Sequence, residues 1–131
     1  MKKRPPLKLS FSFTDTPEHR KLSLEKDGIL CMPVLGYDCS RRMMDQAPLH
    51  VHEECLEISL CLRGDLEVES NGRTLPFRPG MMFVAGPDDL HRIKSYPKGM
   101  CKYWFLFRIP EPCFPLLNLP DTEAHELTQA L

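Results

Sequence analysis

Two histidines stand two residues apart, His50 and His52, with Glu57 and Gly64 following them. On a strand, side chains at i and i+2 project from one face, so the spacing predicts two imidazoles pointing the same way. A third histidine, His91, closes a second block that begins at Gly80 and crosses a turn. Antiparallel pairing would bring His91 opposite the first pair. Three imidazoles and one carboxylate converging on a point suit a single divalent transition metal ion, Fe, Mn, Ni, Cu or Zn, with geometry and supply setting the ion. The same four residues would equally serve as a hydrogen-bonded polar cluster lining a pocket, because buried polar groups need partners rather than metal. For Glu57 a solvent-facing strand position is a further reading. No Ser-His-Asp or Cys-His grouping has a catalytic spacing, so no residue is assigned as catalytic.

Groups placed this way require short strands. Leu56 to Leu62 alternates with a period of two, and Ser59 and Cys61 share the parity of Glu57. Both are therefore expected to face inward as candidate ligand-binding residues. Arg63-Gly64-Asp65 reads as a turn, Leu66 to Ser70 as the return strand, and Asn71-Gly72 as a hairpin turn whose two residues tolerate positive φ. Strands are expected at Arg73 to Phe77, Met81 to Ala85 and His91 to Ser95, separated by Pro79-Gly80 and Gly86 to Asp89. After Pro97 to Gly99, the run from Cys101 to Ile109 carries Tyr103, Trp104, Phe105 and Phe107. Alternation puts one aromatic set inside and the other outside; Tyr103 and Phe105 are the candidates for the pocket wall. The charges of Arg63, Asp65, Glu67 and Glu69 read as a solvated hairpin face. Evenly spaced strands without a long helix between them predict a mostly β sandwich or barrel.

The flanks differ. Residues 1–27 are polar, with one weakly alternating stretch at Lys8 to Phe13, and read as an arm or edge strand; Gly28 to Leu35 is a plausible first strand of a barrel over 28–109. Residues 110–131 read as a Pro-punctuated linker and then a helix with Asp121-Thr122 as caps and Ala124, Leu127 and Leu131 on one side. The chain stops while that helix is still running. Such a helix is too short to stand alone and must pack on the barrel or on a partner's copy, which predicts a homodimer.

Composition limits the function classes. A chain of 131 residues is expected to be one domain. With 17 basic against 18 acidic residues and a net charge of −1, it shows no basic excess with which to hold DNA itself. Thirteen prolines suit many turns and strand edges. MKKR is followed by PPLKLSFSF rather than an apolar run, and no stretch approaches the roughly 18 apolar residues of a membrane span. The expected location is the cytoplasm, with the six cysteines as reduced thiols.

His50, His52, Glu57 and Gly64, in the pattern H-x-H-x4-E-x6-G, resemble the first cupin motif, and Gly80 through His91 resembles the second. The likeness covers roughly residues 45–95. It departs at Gly86 where Pro is usual, at Asp88 where Gly is usual and at Ser95 where Asn is usual. The fold implied is a cupin-type double-stranded β-helix, a jelly-roll barrel, here with a short C-terminal helix. A narrower resemblance is to the N-terminal sensor domain of AraC-type transcription regulators, through LHVHEECLEISLCLRGDLEVESNGRTLPFRPGMMFVAGPDDLHRI and the aromatic strand YWFLFRIP. In that family the barrel binds a small effector, the helix dimerises, and a separate C-terminal domain binds DNA. The resemblance implies the sensor part of a longer regulator. The rivals are a metal-dependent cupin enzyme, a dioxygenase or isomerase using the same four residues, and a metal-binding cupin without catalysis.

Overall fold

Proline decides where the first long pairing begins. Pro33 has no N–H to give to a ladder, and in the computed structural model, which describes residues 15–108, the strand starts just after it. The strands are β1 (His19–Ser23), β2 (Val34–Cys39), β3 (Cys55–Arg63), β4 (Leu66–Ser70), β5 (Arg73–Phe77), β6 (Met82–Ala85), β7 (His91–Ile93) and β8 (Cys101–Arg108). The strand expected over 28–35 thus begins later and runs further. The Pro33 carbonyl instead accepts the amides of Leu24 and Glu25 at a short 3-10 helix, Leu24–Asp27. Lys8 to Phe13 and the linker and helix of 110–131 lie outside the described residues.

All pairings between these strands are antiparallel. They make a five-stranded sheet, β1-β2-β8-β3-β6, and a three-stranded sheet, β5-β4-β7. The β1 pairing places His19 to Ser23 at the sheet edge. The result is a mostly β fold of two sheets, as the strand spacing predicts, and a jelly roll, as the cupin resemblance implies. Asn71 (φ 48°) and Gly72 (φ 76°) both take the left-handed region in the β4–β5 turn, as a two-residue hairpin requires.

Leu66, Val68, Phe77 and Ile93 from the smaller sheet meet Cys61 of the larger one, together with Tyr96 and Met100. Each of the large apolar side chains contributes about 1.5–3 kcal/mol by leaving water. Gly64, the glycine of the first motif, sits at φ 94° in the β3–β4 turn, and a Cβ there would press on Cβ of Met100 at 2.8 Å. Its place is fixed both by backbone angle and by the core beneath it.

The larger sheet is polar where a sheet is usually apolar. On β3 the buried set is Cys55, Glu57, Ser59 and Cys61 along with Leu56, while Ile58 and Leu60 are only half-buried and Leu62 is exposed. On β8 Lys102, Trp104, Leu106 and Arg108 are buried, and Tyr103 is 38% exposed. Register sets these residues in rows across β2, β8 and β3: Asp38–Lys102–Cys61, Gly36–Trp104–Ser59 and Val34–Leu106–Glu57. Gly36 stands opposite Trp104 because the indole occupies the space any Cβ would need. Gly36→Ala is expected to cost about 1–3 kcal/mol, as overpacking does, and to shift the emission of Trp104, the chain's single tryptophan. Denaturant melts followed by fluorescence would show it; an unchanged midpoint would mean the indole does not hold this position.

Candidate functional site

His50 lies just before β3, where its backbone makes an isolated antiparallel bridge with His91, both N–H···O distances being 3.0 Å. Directly opposed residues share a face, so the two rings come together, tilted by 56° with centroids 4.5 Å apart. His52 follows two residues on, with its ring 4.8 Å from His50 and 5.4 Å from His91. Glu57 comes up from β3 into the same space. Ligand atoms of His50, His52, Glu57 and His91 all lie within 4.8 Å of one another. Convergence of these four agrees with the reading of their spacing.

The hydrogen bonds fix the protons. His91 Nδ1 donates to the Asp89 carbonyl at 2.8 Å, and Nε2 donates to Glu57 Oε2 at 3.2 Å. His52 Nε2 donates to the same Glu57 oxygen at 2.8 Å, and Ser59 Oγ donates to Oε1 at 2.8 Å. His50 Nδ1 donates to the Pro48 carbonyl at 2.8 Å, so in the neutral ring Nε2 carries the lone pair. Such carbonyl partners for the outer ring nitrogens are the usual support of metal-binding imidazoles. The turn before His91 is itself held: Asp89 accepts the Gly86 amide and the Asn71 side chain, both at 2.7 Å.

Burial lowers the pKa of His50 to about 4. For His91 burial also opposes charge, but its bond to Glu57 and that residue's negative charge outweigh it, and the pKa is raised. Burial would raise Glu57, yet the bonds from His52 and His91 and the nearby Lys102 hold it well below the usual carboxylate range. The four donors fit a divalent transition metal: three imidazoles, one carboxylate kept ionised, and outer-nitrogen support for two rings. Binding a cation through His91 Nε2 would require that nitrogen to release the proton it now gives to Glu57, so affinity would weaken as pH falls.

With His52 buried behind Glu57, His50, Glu57 and His91 sit on the wall of a partly open cavity of about 330 Å³. That is the low end of the range for small-ligand pockets, about 300–1,000 Å³. Lys102 and Asp38 form a second polar group on the same wall, paired at 2.9 Å and both almost fully buried. His19 Nδ1 donates to the other Asp38 oxygen at 2.8 Å, which brings β1 to the cavity. Burial works against the Asp38 charge, but Lys102 and His19 more than offset it and its pKa is lowered. Trp104, with the Lys102 ammonium 5.7 Å from its ring centre, Tyr96 and Ile93 add apolar wall.

Sequence reasoning placed four further residues here, and the structure distributes them differently. Ser59 is buried but lies behind Glu57 as its hydrogen-bond donor. Cys61 packs in the core with Val68 and Phe77. Tyr103 and Phe105 lie on the outer face of β8, because the Asp38–Lys102 pair and the Gly36–Trp104 contact commit the other parity to the inside. The wall residues missed were Lys102, Trp104, Asp38 and His19. A lone lysine in an otherwise aromatic strand was the available signal.

One expectation about the thiols is corrected. Cys39 and Cys101 are joined as a disulfide between β2 and β8, whereas all six cysteines were expected as thiols. The two are register partners, and the Cys39 amide points away to the Glu18 carbonyl, so they form a non-hydrogen-bonded pair, the closest kind across antiparallel strands. Cys31, Cys55 and Cys61 keep their thiols; Cys113 lies outside the described residues.

The strand order and the histidine–glutamate cluster define a cupin barrel, and solved structures agree. A cupin protein from Bacteroides fragilis superposes with a TM-score of 0.60 at 14% identity, covering 82% of this chain and 89% of that one. A predicted oxalate decarboxylase from Thermotoga maritima gives 0.57 at 17% identity, covering 70% and 81%. A Cupin 2 conserved barrel domain protein from Salinispora arenicola gives 0.55 at 19% identity, covering 83% and 90%. At such identities the likeness is one of fold. The model of the AraC-like ligand binding domain matches residues 39–111, and the chain belongs to that family. No curated protein matches it significantly.

The pKa directions set a pH optimum for the metal-free barrel. His50 binds protons more weakly in the fold than its ordinary 6.5, so stability rises with pH from about 4 to 6.5. The contribution of His91, raised in the fold, is complete below 6.5 and is lost as pH climbs through its folded value. Glu57 and Asp38, both lowered, add a further loss as pH drops below 4.5 and 3.8. Thermal midpoints with a chelator present should therefore peak near pH 6.5, and His50→Asn should flatten the limb between 6.5 and 4. A midpoint still rising through pH 8 would contradict these assignments.

Proposed function

We propose that this barrel is the effector-sensing domain of an AraC-type transcription regulator. It binds a small molecule in the cavity between the His50–His52–Glu57–His91 cluster and the Lys102–Asp38 pair, and acts in the cytoplasm as a homodimer. DNA is bound by a separate C-terminal domain, in keeping with a net charge of −1 here. The observation that carries the reading is the cavity wall: two groups of buried charge face a space of ligand size in a chain of the ligand-binding family. Paired buried charge stabilises a fold less well than apolar residues of the same volume, which supports a role for these groups in binding.

Effector binding can alter a regulator only through different affinities for two arrangements. His19 offers the connection, since the residue that bonds Asp38 at the wall also anchors β1 at the sheet edge. His50, His52, Glu57 and His91 would hold one divalent ion, Zn, Ni, Fe or Mn, which would supply a Lewis acid to anchor an oxygen of the effector. The dimer would form on the outer face of the larger sheet. There Phe105 and Phe107 of β8 lie in register with Ile58 and Leu56 of β3, and Met82 and Val84 of β6 are 63% and 43% exposed. Among the described residues no helix is long and apolar enough to cross a membrane.

Thermal-shift screening of small molecules with and without Zn(II) tests the proposal. A ligand at a hundred times its dissociation constant should stabilise the fold by ~2.7 kcal/mol, with no reaction product formed. Substrate turnover or oxygen consumption with Fe(II), lost in His52→Ala, would replace the sensor by an enzyme. Sedimentation should show a dimer that Phe105→Glu dissociates; a wild-type monomer at high concentration would remove the dimer.

A further inference from the structure

The Cys39–Cys101 pair is not absorbed by the ligand-binding reading, and its surroundings differ from those of the other cysteines. It lies at the end of β2 and the start of β8, on the outer face, with Cys39 half-buried and Cys101 6% exposed. Arg63, the last residue of β3, places one guanidinium nitrogen 3.2 Å from Cys101 Sγ and 3.6 Å from Cys39 Sγ. Its Nε donates to the Gly99 carbonyl in the turn entering β8, which holds the cation in place. The Tyr37 hydroxyl donates to Cys101 Sγ at 3.6 Å. By contrast, burial pushes the Cys55 thiol up to about 11 and raises Cys61, which keeps both unreactive.

The strand register by itself places these two residues opposite each other. Tyr37–Tyr103 and Asp38–Lys102 continue the same register on one side, and the Ser40 amide donates to the Met100 carbonyl on the other. A bond whose partners are already aligned can open and close without refolding the chain. The neighbouring pair is Asp38–Lys102, the buried ion pair of the cavity wall, and the Cα–Cα distance at the bridge is 4.2 Å. Opening or closing the bond acts directly beside the wall, because Asp38 and Lys102 adjoin the two cysteines in sequence.

We propose that Cys39 and Cys101 form a reversible dithiol–disulfide site, sensing small thiols and disulfides, whose state is felt in the cavity through Asp38 and Lys102. In the reducing step a thiolate of a dithiol attacks Sγ of Cys39, the more exposed of the two residues. The S–S bond breaks and its electron pair leaves on Cys101 Sγ, a thiolate stabilised by Arg63. The second thiol of the reductant then attacks the mixed disulfide, closing a cyclic disulfide and releasing the Cys39 thiolate. The two protons of the dithiol end on the two cysteine sulfurs. A small disulfide oxidises the pair by the reverse sequence. In a reducing cytoplasm, disulfides of this kind are usually transient or redox-sensing, which suits the location proposed above. The site does not depend on whether the cavity holds a metal or an effector.

The test uses the full native chain equilibrated in mixtures of reduced and oxidised dithiothreitol, alkylated after acid quench and denaturation, and read by peptide mass spectrometry. Cys39 and Cys101 should lose and regain labelling together, while Cys31, Cys55 and Cys61 stay labelled throughout. Trp104 emission should shift with the same midpoint in the wild type and not at all in Cys39→Ser, whose fold is checked by circular dichroism. Arg63→Gln should slow reduction several-fold, because the leaving thiolate loses its cation. A pair that stays oxidised until the fold melts, or never bonds in the native state, overturns the site. Cycling that leaves Trp104 emission unchanged overturns its link to the cavity.

Discussion

The carboxylate of Glu57 governs the inside of this barrel. An ionised group 7% exposed is tolerated only when every oxygen has a partner. Here His52 and His91 donate to one oxygen and Ser59 to the other. Each partner demands its own support: His91 needs the Asp89 carbonyl, and Asp89 needs Asn71 from the β4–β5 turn. A hairpin on the smaller sheet is thus tied to a strand of the larger one by a chain of hydrogen bonds centred on one carboxylate.

A second buried charge repeats the arrangement two strands away. Lys102 and Asp38 neutralise each other within the sheet, and His19 completes the carboxylate. Neither group is the cheapest way to stabilise a β barrel, since apolar residues of similar volume would fill the same space at no desolvation cost. Both groups stand on the cavity wall, where the binding proposed above would use them. The apolar load is carried instead by Leu66, Val68, Phe77 and Ile93 on the smaller sheet. The outer face of the larger sheet takes Tyr103, Phe105 and Phe107, while Trp104 lies inside. One choice of parity on β3 and β8 therefore decides both what the cavity presents and what the surface presents.

Local pattern was enough to read part of this. The strand period, the Asn71-Gly72 turn and the histidine spacing are local, and each needs only a few neighbouring residues to have one meaning. His91 could be matched to His50 because a single turn separates its block from the preceding strand. Tyr103 and Phe105 could not be assigned to a face locally, since Lys102 and Trp104 offered the alternative parity and the decision came from Asp38 and Gly36, more than sixty residues earlier. The same distance hid the Cys39–Cys101 pairing, for which no spacing rule exists. His19 falls in a stretch too polar to announce a strand, and it enters the sheet only by pairing with β2.

If the interior is organised around Glu57 as a binding centre, a cation supplied to it should find that centre and no other. The direct measurement is anomalous diffraction at the cobalt edge from crystals of the full chain grown with Co(II). One peak among the ring nitrogens of His50, His52 and His91 and the carboxylate of Glu57 is the result this account predicts. Cobalt bound elsewhere, with Glu57 still accepting from His52 and His91, would contradict it.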